Sequence, residues 1–348
     1  MTAPTAVPQG TRTEVPKLEL HVHLEGTVEP ATLLTLARRN GLRLPAETAD
    51  GLAELYRFTT LREFIDTWIL TTNCLRTADD FRRITVDYAG RAAALGAAYI
   101  EAIFSPAERA RRGVDWDELF TGYCEGAAEA EDRFGVTVRL TPDLYRGVDV
   151  ALAEECARVA VRYAGRGVVG LGLGGAPSAM PLAAYDRALR TAADGGLAFL
   201  PHAGEADDAE SVREVLPYRP RRIRHGIGAR HQPDLLAEIV ERGIVLDVCP
   251  TSNVCTGAVP ELAAHPLPQL VAAGVRCTIG TDDPAMFGTD LQREYDAAAA
   301  LGLSATEAWR AGLAGAACEE PVRARLAALP GPGRPESRAP APATPVRD

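Results

Sequence analysis

Lysine is almost absent from this chain of 348 residues: Lys17 is the only one, and every other basic side chain is arginine. A metal centre in which a carboxylated lysine bridges two ions needs a lysine on a central strand. Lys17 precedes the first predicted strand. A lysine-bridged centre with two metal ions is therefore excluded, which favours a single ion.

Positive charge and long apolar segments are also scarce. The formal net charge is -10, which argues against proteins that wrap nucleic acid or bind anionic membrane surfaces. No run of about 18 apolar residues is present to span a bilayer. We therefore expect neither a nucleic-acid partner nor a membrane partner.

The cysteines include no Cys-x-x-Cys pair, and their number is odd. With no secretory leader, this usage predicts a reducing, cytoplasmic location. The zinc site typical of cytidine deaminases is excluded as well, because no His-x-Glu is paired with Pro-Cys-x-x-Cys. The seven scattered positions are Cys74, Cys124, Cys156, Cys249, Cys255, Cys277 and Cys318.

Apolar runs that read as buried parallel strands alternate with segments of helical periodicity. Eight such units are typical of a (β/α)8 TIM barrel, an α/β fold, here with extra helices after strand 1 and at the C-terminus. The predicted strands are 18–24, 98–104, 136–141, 168–173, 197–202, 222–225, 244–249 and 275–281. Predicted helices between them include 30–40, 116–134, 181–194 and 233–242.

The domain prediction is one barrel domain over 16–328, between disordered tails at 1–15 and 329–348. The C-terminal tail is rich in proline and alanine. An extra helical insert is expected at 48–76, with apolar side chains that could form a lid over a site. These are Leu61, Phe64, Ile65 and Trp68.

Candidate metal ligands end several predicted strands. His21 and His23 alternate along one strand and therefore point to the same side. His202 and Asp282 each end another strand, and the carboxyl ends of barrel strands meet at one rim. Three imidazoles and one carboxylate suit one Zn²⁺ or another divalent transition ion.

Other polar residues at these strand ends have two interpretations each. Glu205 is either an acid at the start of a helix or a proton donor at the site. Asp283 either caps the turn at Pro284 or forms a hydrogen bond with a substrate. His225 also ends a strand, whereas His231 and His265 are expected to be solvated or to cap helices.

Two further patterns have interpretations that do not involve catalysis. Arg222 and Arg224 could simply form ion pairs on the outer strand face. The glycine-rich segment 168–175 lacks the lysine and hydroxyl residue of a phosphate loop. Its glycines are expected instead to let a flat ligand approach the backbone.

Five motifs taken together resemble the adenosine deaminase family, in order and spacing, over about residues 15–328. The resemblance implies a zinc-dependent (β/α)8 hydrolase acting on a 6-aminopurine. The motifs are His-Val-His-Leu-Glu-Gly-Thr (21–27), His-Ala-Gly-Glu (202–205), Arg-His-Gly (224–226), Cys-Pro-Thr-Ser-Asn (249–253) and Thr-Asp-Asp-Pro (281–284).

The resemblance also implies a role for each matching residue. His21, His23, His202 and Asp282 would hold one zinc ion per chain. Glu205 would protonate purine N1, His225 would orient the attacking hydroxide, and Asp283 would hydrogen-bond N7. Substrate contacts are expected from His23, Glu25, Phe64, Gly175 and Asp283, with the Gly175 backbone N–H on N3.

This chain departs from the family pattern on the fourth strand, where Gly172 and Pro177 stand in place of two acids. Glu25 also replaces a shorter aspartate. These differences resemble bacterial members that accept 5′-modified nucleosides such as aminodeoxyfutalosine. The expected substrate is adenosine or such a derivative, and the expected product is the 6-oxopurine with ammonia.

Three alternatives remain open from the sequence. One is deamination of free adenine. Another is a non-catalytic barrel that senses purines and keeps zinc for structure, although Glu205, His225 and Asp283 would then have no role. A third is hydrolysis of an amide or ester, which would not need an acid beside purine N1.

Overall fold

The computed structural model describes residues 16–58, 61–206 and 208–330, without the side chains of Leu61 and Arg62. The predicted N-terminal tail and nearly all of the predicted C-terminal tail lie outside the described residues. Those two predictions stay predictions.

Eight parallel strands form one sheet whose spatial order follows the chain. Most of their residues are buried, as expected of barrel strands covered by helices, although strands such as β1 and β6 also carry buried charged side chains. The strands are β1 Lys17–His23, β2 Ala97–Phe104, β3 Thr137–Tyr145, β4 Gly170–Gly174, β5 Ala198–Ala203, β6 Arg222–His225, β7 Val245–Val248 and β8 Arg276–Ile279. The predicted (β/α)8 barrel is confirmed, although β3 runs beyond its predicted end at residue 141.

The barrel closes between β1 and the residues that follow β8. The His23 amide donates to the Asp282 carbonyl at 2.7 Å, and the Asp282 amide donates to the His21 carbonyl at 3.1 Å. Two predicted ligand-bearing segments therefore form the seam of the barrel. The chain positions its first and last candidate ligands by the same backbone hydrogen bonds that complete the sheet.

The helices surround the sheet, and extra helices follow β1 and β8 as predicted. The α-helices are α1 Pro30–Arg39, α2 Ala49–Ala53, α3 Leu61–Thr72, α4 Ala78–Ala94, α5 Pro106–Arg111, α6 Trp116–Phe134, α7 Val150–Arg162, α8 Asp186–Asp194, α9 Ala209–Val215, α10 Pro233–Glu241, α11 Pro250–Cys255, α12 Leu267–Ala272, α13 Pro284–Phe287, α14 Leu291–Ala300, α15 Ala305–Gly315 and α16 Glu320–Ala328. Short 3-10 segments occupy Leu24–Thr27, Glu54–Tyr56, Ala164–Arg166, Pro177–Ala179, Leu182–Tyr185, Leu216–Tyr218, Ile227–His231 and Leu262–Ala264.

Charged side chains fill part of the barrel interior. Arg222 on β6 bonds Glu101 on β2 at 2.7 Å and Asp247 on β7 at 2.9 Å. Arg224 bonds Asp143 on β3 at 2.5 Å. Glu101 and Asp143 lie on strands across the barrel, and Asp247 lies on the strand next to β6. Both arginines are fully buried, so the ion pairs that the sequence suggested do form, but their suggested place on the outer strand face is wrong. Their burial is tolerated because each charge is paired.

Among the described residues, no helix is long and apolar enough to cross a membrane. All seven cysteines are unpaired thiols, and only Cys255 is exposed. Burial raises the pKa of most of these thiols, including Cys249, which lies beside the site described next. These thiols are therefore weak nucleophiles.

Candidate active site

The end of β1 carries two of the predicted ligands into the barrel mouth. The side chain of His21 is fully buried, and that of His23 is 14% exposed. The two ring centroids lie 5.7 Å apart, on the same side of the strand as their spacing predicts. Glycine is needed nearby, because a Cβ at Gly280 would collide with the His21 backbone and side chain.

Backbone carbonyls orient two of the imidazoles. His21 Nδ1 lies 3.4 Å from the Asp247 carbonyl, and His202 Nδ1 lies 3.0 Å from the Leu173 carbonyl. A carbonyl only accepts, so each Nδ1 must carry the hydrogen. Each Nε2 is then left with its lone pair exposed toward the other ligands, which is the tautomer that metal ligation requires.

Asp282 follows β8 and lies beside these histidines, across the seam from β1. Its Oδ1 lies 3.4 Å from His21 Nε2 and 3.3 Å from His23 Nε2. Its Oδ2 accepts a hydrogen bond from Ser252 Oγ at 2.6 Å. Asp282 has φ 63°, a left-handed conformation that costs energy for a non-glycine residue and often marks a functional site.

The donor atoms converge in a way that fits a cation. His23 Nε2 and His202 Nε2 are 3.2 Å apart, and His21 Nε2 is buried without a hydrogen-bond partner. Two ring nitrogens this close either share one hydrogen or, when both keep their lone pairs, need a positive charge between them. One nitrogen from each of His21, His23 and His202 lies within 4.8 Å of the others, so these residues and Asp282 could hold a divalent ion.

Burial and neighbouring charges shift the pKa values of these residues. Burial lowers the pKa of His21 well below its usual value, and lowers that of His23 to about 4. Burial alone would raise the pKa of Asp282, but His21 and His225 hold it well below its usual value. Neutral imidazoles beside a carboxylate are the protonation states that a metal ion needs.

Glu205 and His225 lie together at the rim beside these four residues. Glu205 Oε2 is 4.0 Å from His225 Nε2, and its side chain is 45% exposed. His225 is buried and, like Asp282, has a positive φ, 64°. The helix after β5 is capped by Asp208, whose side chain accepts from the Ser211 amide. Among the described residues, Glu205 does not cap that helix.

Asp283 is buried behind the rim with its Oδ1 lacking a hydrogen-bond partner. Asp283 precedes α13, but its side chain makes no capping hydrogen bond. Burial, the Asp282 carboxylate and the Glu25 carboxylate raise its pKa well above the usual range. Gly26 leaves room for this side chain, because a Cβ there would collide with it.

Glu25 lies in a small buried polar group next to Asp283. Its Oε1 accepts from the Ser105 amide at 2.8 Å, and burial raises its pKa. Glu25 Oε2, Tyr123 Oη and two nitrogens of Arg109 have no hydrogen-bond partner among the described protein groups. Such a group is polar enough to hold bridging water.

The predicted lid lies on α3, and part of it reaches the rim. The Phe64 ring stacks on Phe287 at 5.1 Å and contacts Phe58 at 5.2 Å. Phe287 ends α13, the helix that begins directly after Asp283. Ile65 is 37% exposed, whereas the Leu61 side chain lies outside the described residues.

The glycines of β4 serve a purpose that the sequence did not indicate. A Cβ at Gly172 would collide with the Asp143 carboxylate and the Arg224 guanidinium, and one at Gly170 would collide with Leu200. These two glycines therefore make room for interior side chains. Only Gly175, which is exposed and has φ 86°, lies where a ligand could approach its backbone.

Asp143 is a site residue that the sequence interpretation missed. It pairs in register with Gly172, and its Oδ2 lies 3.3 Å from His202 Nδ1. The neighbouring strand thus places a carboxylate beside Gly172. Arg224 and His202 hold the pKa of Asp143 at about 2 although burial would raise it, so the carboxylate stays ionised.

Three more residues were missed or misplaced. Ser252 and Asn253, in the Cys-Pro-Thr-Ser-Asn motif, contact Asp282 and His225 directly. His265 is buried behind Asn253, so the expectation of a solvated side chain is wrong, although it does accept a hydrogen bond from the Leu267 amide at the start of α12. His231 is exposed as expected.

Comparison with known proteins gives consistent matches. The family model described as adenosine deaminase matches residues 16–329. The chain is 56% identical over 320 residues to the aminodeoxyfutalosine deaminase of Acidothermus cellulolyticus, which covers 90% of each protein. It is 36% identical to the adenine deaminase of Sphingopyxis alaskensis, over 83% of this chain and 85% of that protein.

A solved structure agrees with these matches. The crystal structure of adenine deaminase from Arthrobacter aurescens superposes with a TM-score of 0.83 at 32% identity, over 90% of this chain and 97% of that one. The comparisons agree with the barrel fold. The chain therefore belongs to the adenosine deaminase family and is one of its metal-dependent aminohydrolases.

Proposed function

We propose that the protein is a zinc-dependent hydrolytic deaminase of a 6-aminopurine nucleoside with a modified 5′ position, such as aminodeoxyfutalosine. The observation that carries the substrate proposal is the 56% identity to an aminodeoxyfutalosine deaminase over 90% of both chains. The observation that carries the reaction is the grouping of His225, Glu205 and Asp283 around the converging ligand atoms.

We propose His21, His23, His202 and Asp282 as the ligands of one zinc ion per chain. Three imidazole nitrogens and one carboxylate oxygen are donors that Zn²⁺ accepts readily. When bound, the ion would act as a Lewis acid that lowers the pKa of water toward 7 and so makes hydroxide available at neutral pH. Ser252 holds Asp282 in place through its 2.6 Å hydrogen bond.

The protein's own groups then act on the purine. Glu205, half-exposed at the rim, is placed to donate a proton to purine N1, which makes C6 more electrophilic. His225 Nε2 is 4.0 Å from Glu205 and 3.8 Å from Asp282, so it can orient the nucleophile between them. Purine N7 carries only a lone pair, so a hydrogen bond to it requires a protonated Asp283, in keeping with the raised pKa of that carboxyl.

The rest of the pocket would hold the substrate and exclude water. We propose that Gly175 offers its backbone N–H to N3, and that Glu25 lies toward the ribose. Phe64 and Phe287 form an apolar wall that would cover the bound purine. Excluding bulk water strengthens each polar contact with the developing charge.

A second candidate is deamination of free adenine. It is favoured by the structural similarity to an adenine deaminase and by the 36% identity to another. The two candidates share the purine end of the site and differ only in whether a ribose and its 5′ substituent must be accommodated.

Ammonia release from a substrate panel separates these candidates. We expect kcat/KM for aminodeoxyfutalosine to exceed that for adenine by about 100-fold, or roughly 2.7 kcal/mol, because ribose and 5′ contacts are lost with the free base. We also expect 5′-modified adenosines such as 5′-methylthioadenosine to react within about tenfold of adenosine, or faster. The panel is completed by 2′-deoxyadenosine and S-adenosylhomocysteine.

The panel can contradict the proposal in two ways. Equal or better turnover of adenine would favour the second candidate. A loss of about 10³-fold or more, roughly 4 kcal/mol, for every 5′-substituted analogue would indicate a closed ribose pocket and a strict adenosine deaminase.

Asp143→Asn tests how the zinc ligand His202 is supported. The substitution keeps the side-chain shape but removes the charge beside His202 Nδ1 and Arg224. We expect metal affinity to fall by about 10- to 100-fold, the usual effect of changing an outer side chain that supports a ligand. Competition with a fluorescent chelator measures it. Asp132→Asn, on the exposed end of α6, is the control, and equal affinities in both variants would show that Asp143 does not support the ligand.

A further inference from the structure

A line of hydrogen bonds runs from His225 away from the site to a second buried histidine. Asn253 Nδ2 lies 3.3 Å from His225 Nδ1, and Asn253 Oδ1 lies 3.2 Å from His265 Nε2. The Leu267 amide donates to His265 Nδ1 at 3.1 Å. The line therefore links the end of β6 to α11 and the start of α12, and it ends on a backbone group whose hydrogen position is certain.

That backbone amide sets the direction of every bond in the line. Because Leu267 N–H donates, His265 Nδ1 must accept, and a neutral His265 then carries its hydrogen on Nε2. That hydrogen is donated to Asn253 Oδ1, so the Asn253 amide is oriented with Nδ2 toward His225. His225 Nδ1 must then accept, and its hydrogen is on Nε2, the nitrogen that faces Glu205 and Asp282.

We propose that His265 is a positioning residue that, through Asn253, holds His225 in the tautomer whose Nε2–H faces the reacting atoms. His225 would thus act as a hydrogen-bond donor toward the nucleophile and the developing charge. This deepens the proposed function and rests on it for the identity of the reaction. The tautomer itself is a property of the folded chain and does not depend on the substrate.

Burial makes this line stable in one arrangement. Asn253 is fully buried, and His225 and His265 are 1% and 3% exposed, so water cannot readily replace a lost partner. Turning the Asn253 amide over would place two N–H donors face to face at the His265 end and two acceptors face to face at the His225 end, which is costly inside a protein. Burial, with Arg230 and His225 nearby, lowers the pKa of His265 to about 4, so it stays neutral at ordinary pH.

Two substitutions of His265 distinguish a role in the line of hydrogen bonds from a role in packing alone. His265→Asn keeps an acceptor near the Leu267 amide but has no donor at the position of Nε2. His265→Gln keeps a donor toward Asn253 and loses that acceptor. We expect His265→Asn to lower kcat by about tenfold or more with KM changed by less than about twofold, and His265→Gln to retain kcat within about threefold. His231→Asn, at the exposed histidine, is the control.

The tautomer is read directly by nitrogen NMR of the full-length, zinc-loaded protein labelled with ¹⁵N-histidine. The His225 signals are assigned from their loss in His225→Gln. In the unsubstituted protein we expect a non-protonated His225 Nδ1 and a protonated Nε2, and in His265→Asn a mixture of the two tautomers. His265→Gln should resemble the unsubstituted protein.

Each possible outcome tests a different part of the proposal. A protonated His225 Nδ1 in the unsubstituted protein would overturn the proposal whatever the activities are. Equal losses of kcat in the asparagine and glutamine variants would show that His265 only fills space. Failure of the unsubstituted protein to deaminate any aminopurine would overturn the proposed function, while the NMR measurement would still decide the tautomer.

Discussion

Replacing Glu205 by glutamine is expected to lower kcat by about 100-fold or more, the contribution of a positioned general acid. Glutamine keeps the size and shape of the side chain but cannot deliver a proton to purine N1. The residue lies at the rim, 45% exposed and 4.0 Å from His225, and its side chain packs into no core. We therefore expect metal content and melting temperature to stay unchanged. Steady-state ammonia release and elemental analysis measure the two effects.

Glu210→Gln provides the matched control for this variant. Glu210 lies in the first turn of α9, a few residues further along the same segment, and its side chain is 86% exposed. The control should have the activity of the unsubstituted protein. If Glu205→Gln also turned over at that rate, Glu205 would be only a residue near a helix start, and another group would have to protonate the purine.

Removing the metal is expected to lower kcat/KM by at least about 10³-fold, because a Lewis acid at this position supplies several kcal/mol to the transition state. Elemental analysis of active protein should find one divalent ion per chain, most of it zinc. Zinc added back to the stripped protein should restore activity. The ring nitrogens of His21, His23 and His202 lie within 4.8 Å of one another. Asp282 Oδ1 lies 3.4 and 3.3 Å from two of them, which suits a single shared ion.

Asp282→Ala offers a second route to the same loss. It removes a ligand and also the acceptor of the Ser252 hydroxyl, so zinc should no longer restore activity. Two metal ions per chain in active protein would contradict the single-ion site. Full activity in protein stripped of metal would contradict a role for the ion in the reaction.

The fold could be predicted because its signals are local. Most strands contain a short apolar run, and the eight strands recur between helical patterns. The general rule that barrel strands end at a common rim then placed His21, His202 and Asp282 together. The geometry agrees with that expectation, although the roles assigned to these residues remain predictions.

The partners of these residues could not be predicted, since they depend on which strands face each other across the barrel. Arg222 and Arg224 were expected to form ion pairs, but on the outer strand face; in the structure the pairs are buried in the barrel interior, which is tolerated because each charge has a partner. The position of Glu101 and Asp143 opposite these arginines depends on how the whole sheet closes into a barrel. The last part of β3, which contains Asp143, was not predicted because it begins at Pro142 and proline seldom continues a strand.

The seam between β1 and Asp282 has a consequence for how the protein is made. The backbone of Asp282 hydrogen-bonds to both His21 and His23, so the first and last ligands come together only when the sheet closes. A chain emerging from the ribosome would expose its first two ligands long before the fourth exists. Such distant pairings form slowly, and incomplete barrels expose apolar edges in the meantime. Capture of the proposed ion would therefore be a late event in biosynthesis, and a filled site would be a mark of completed folding.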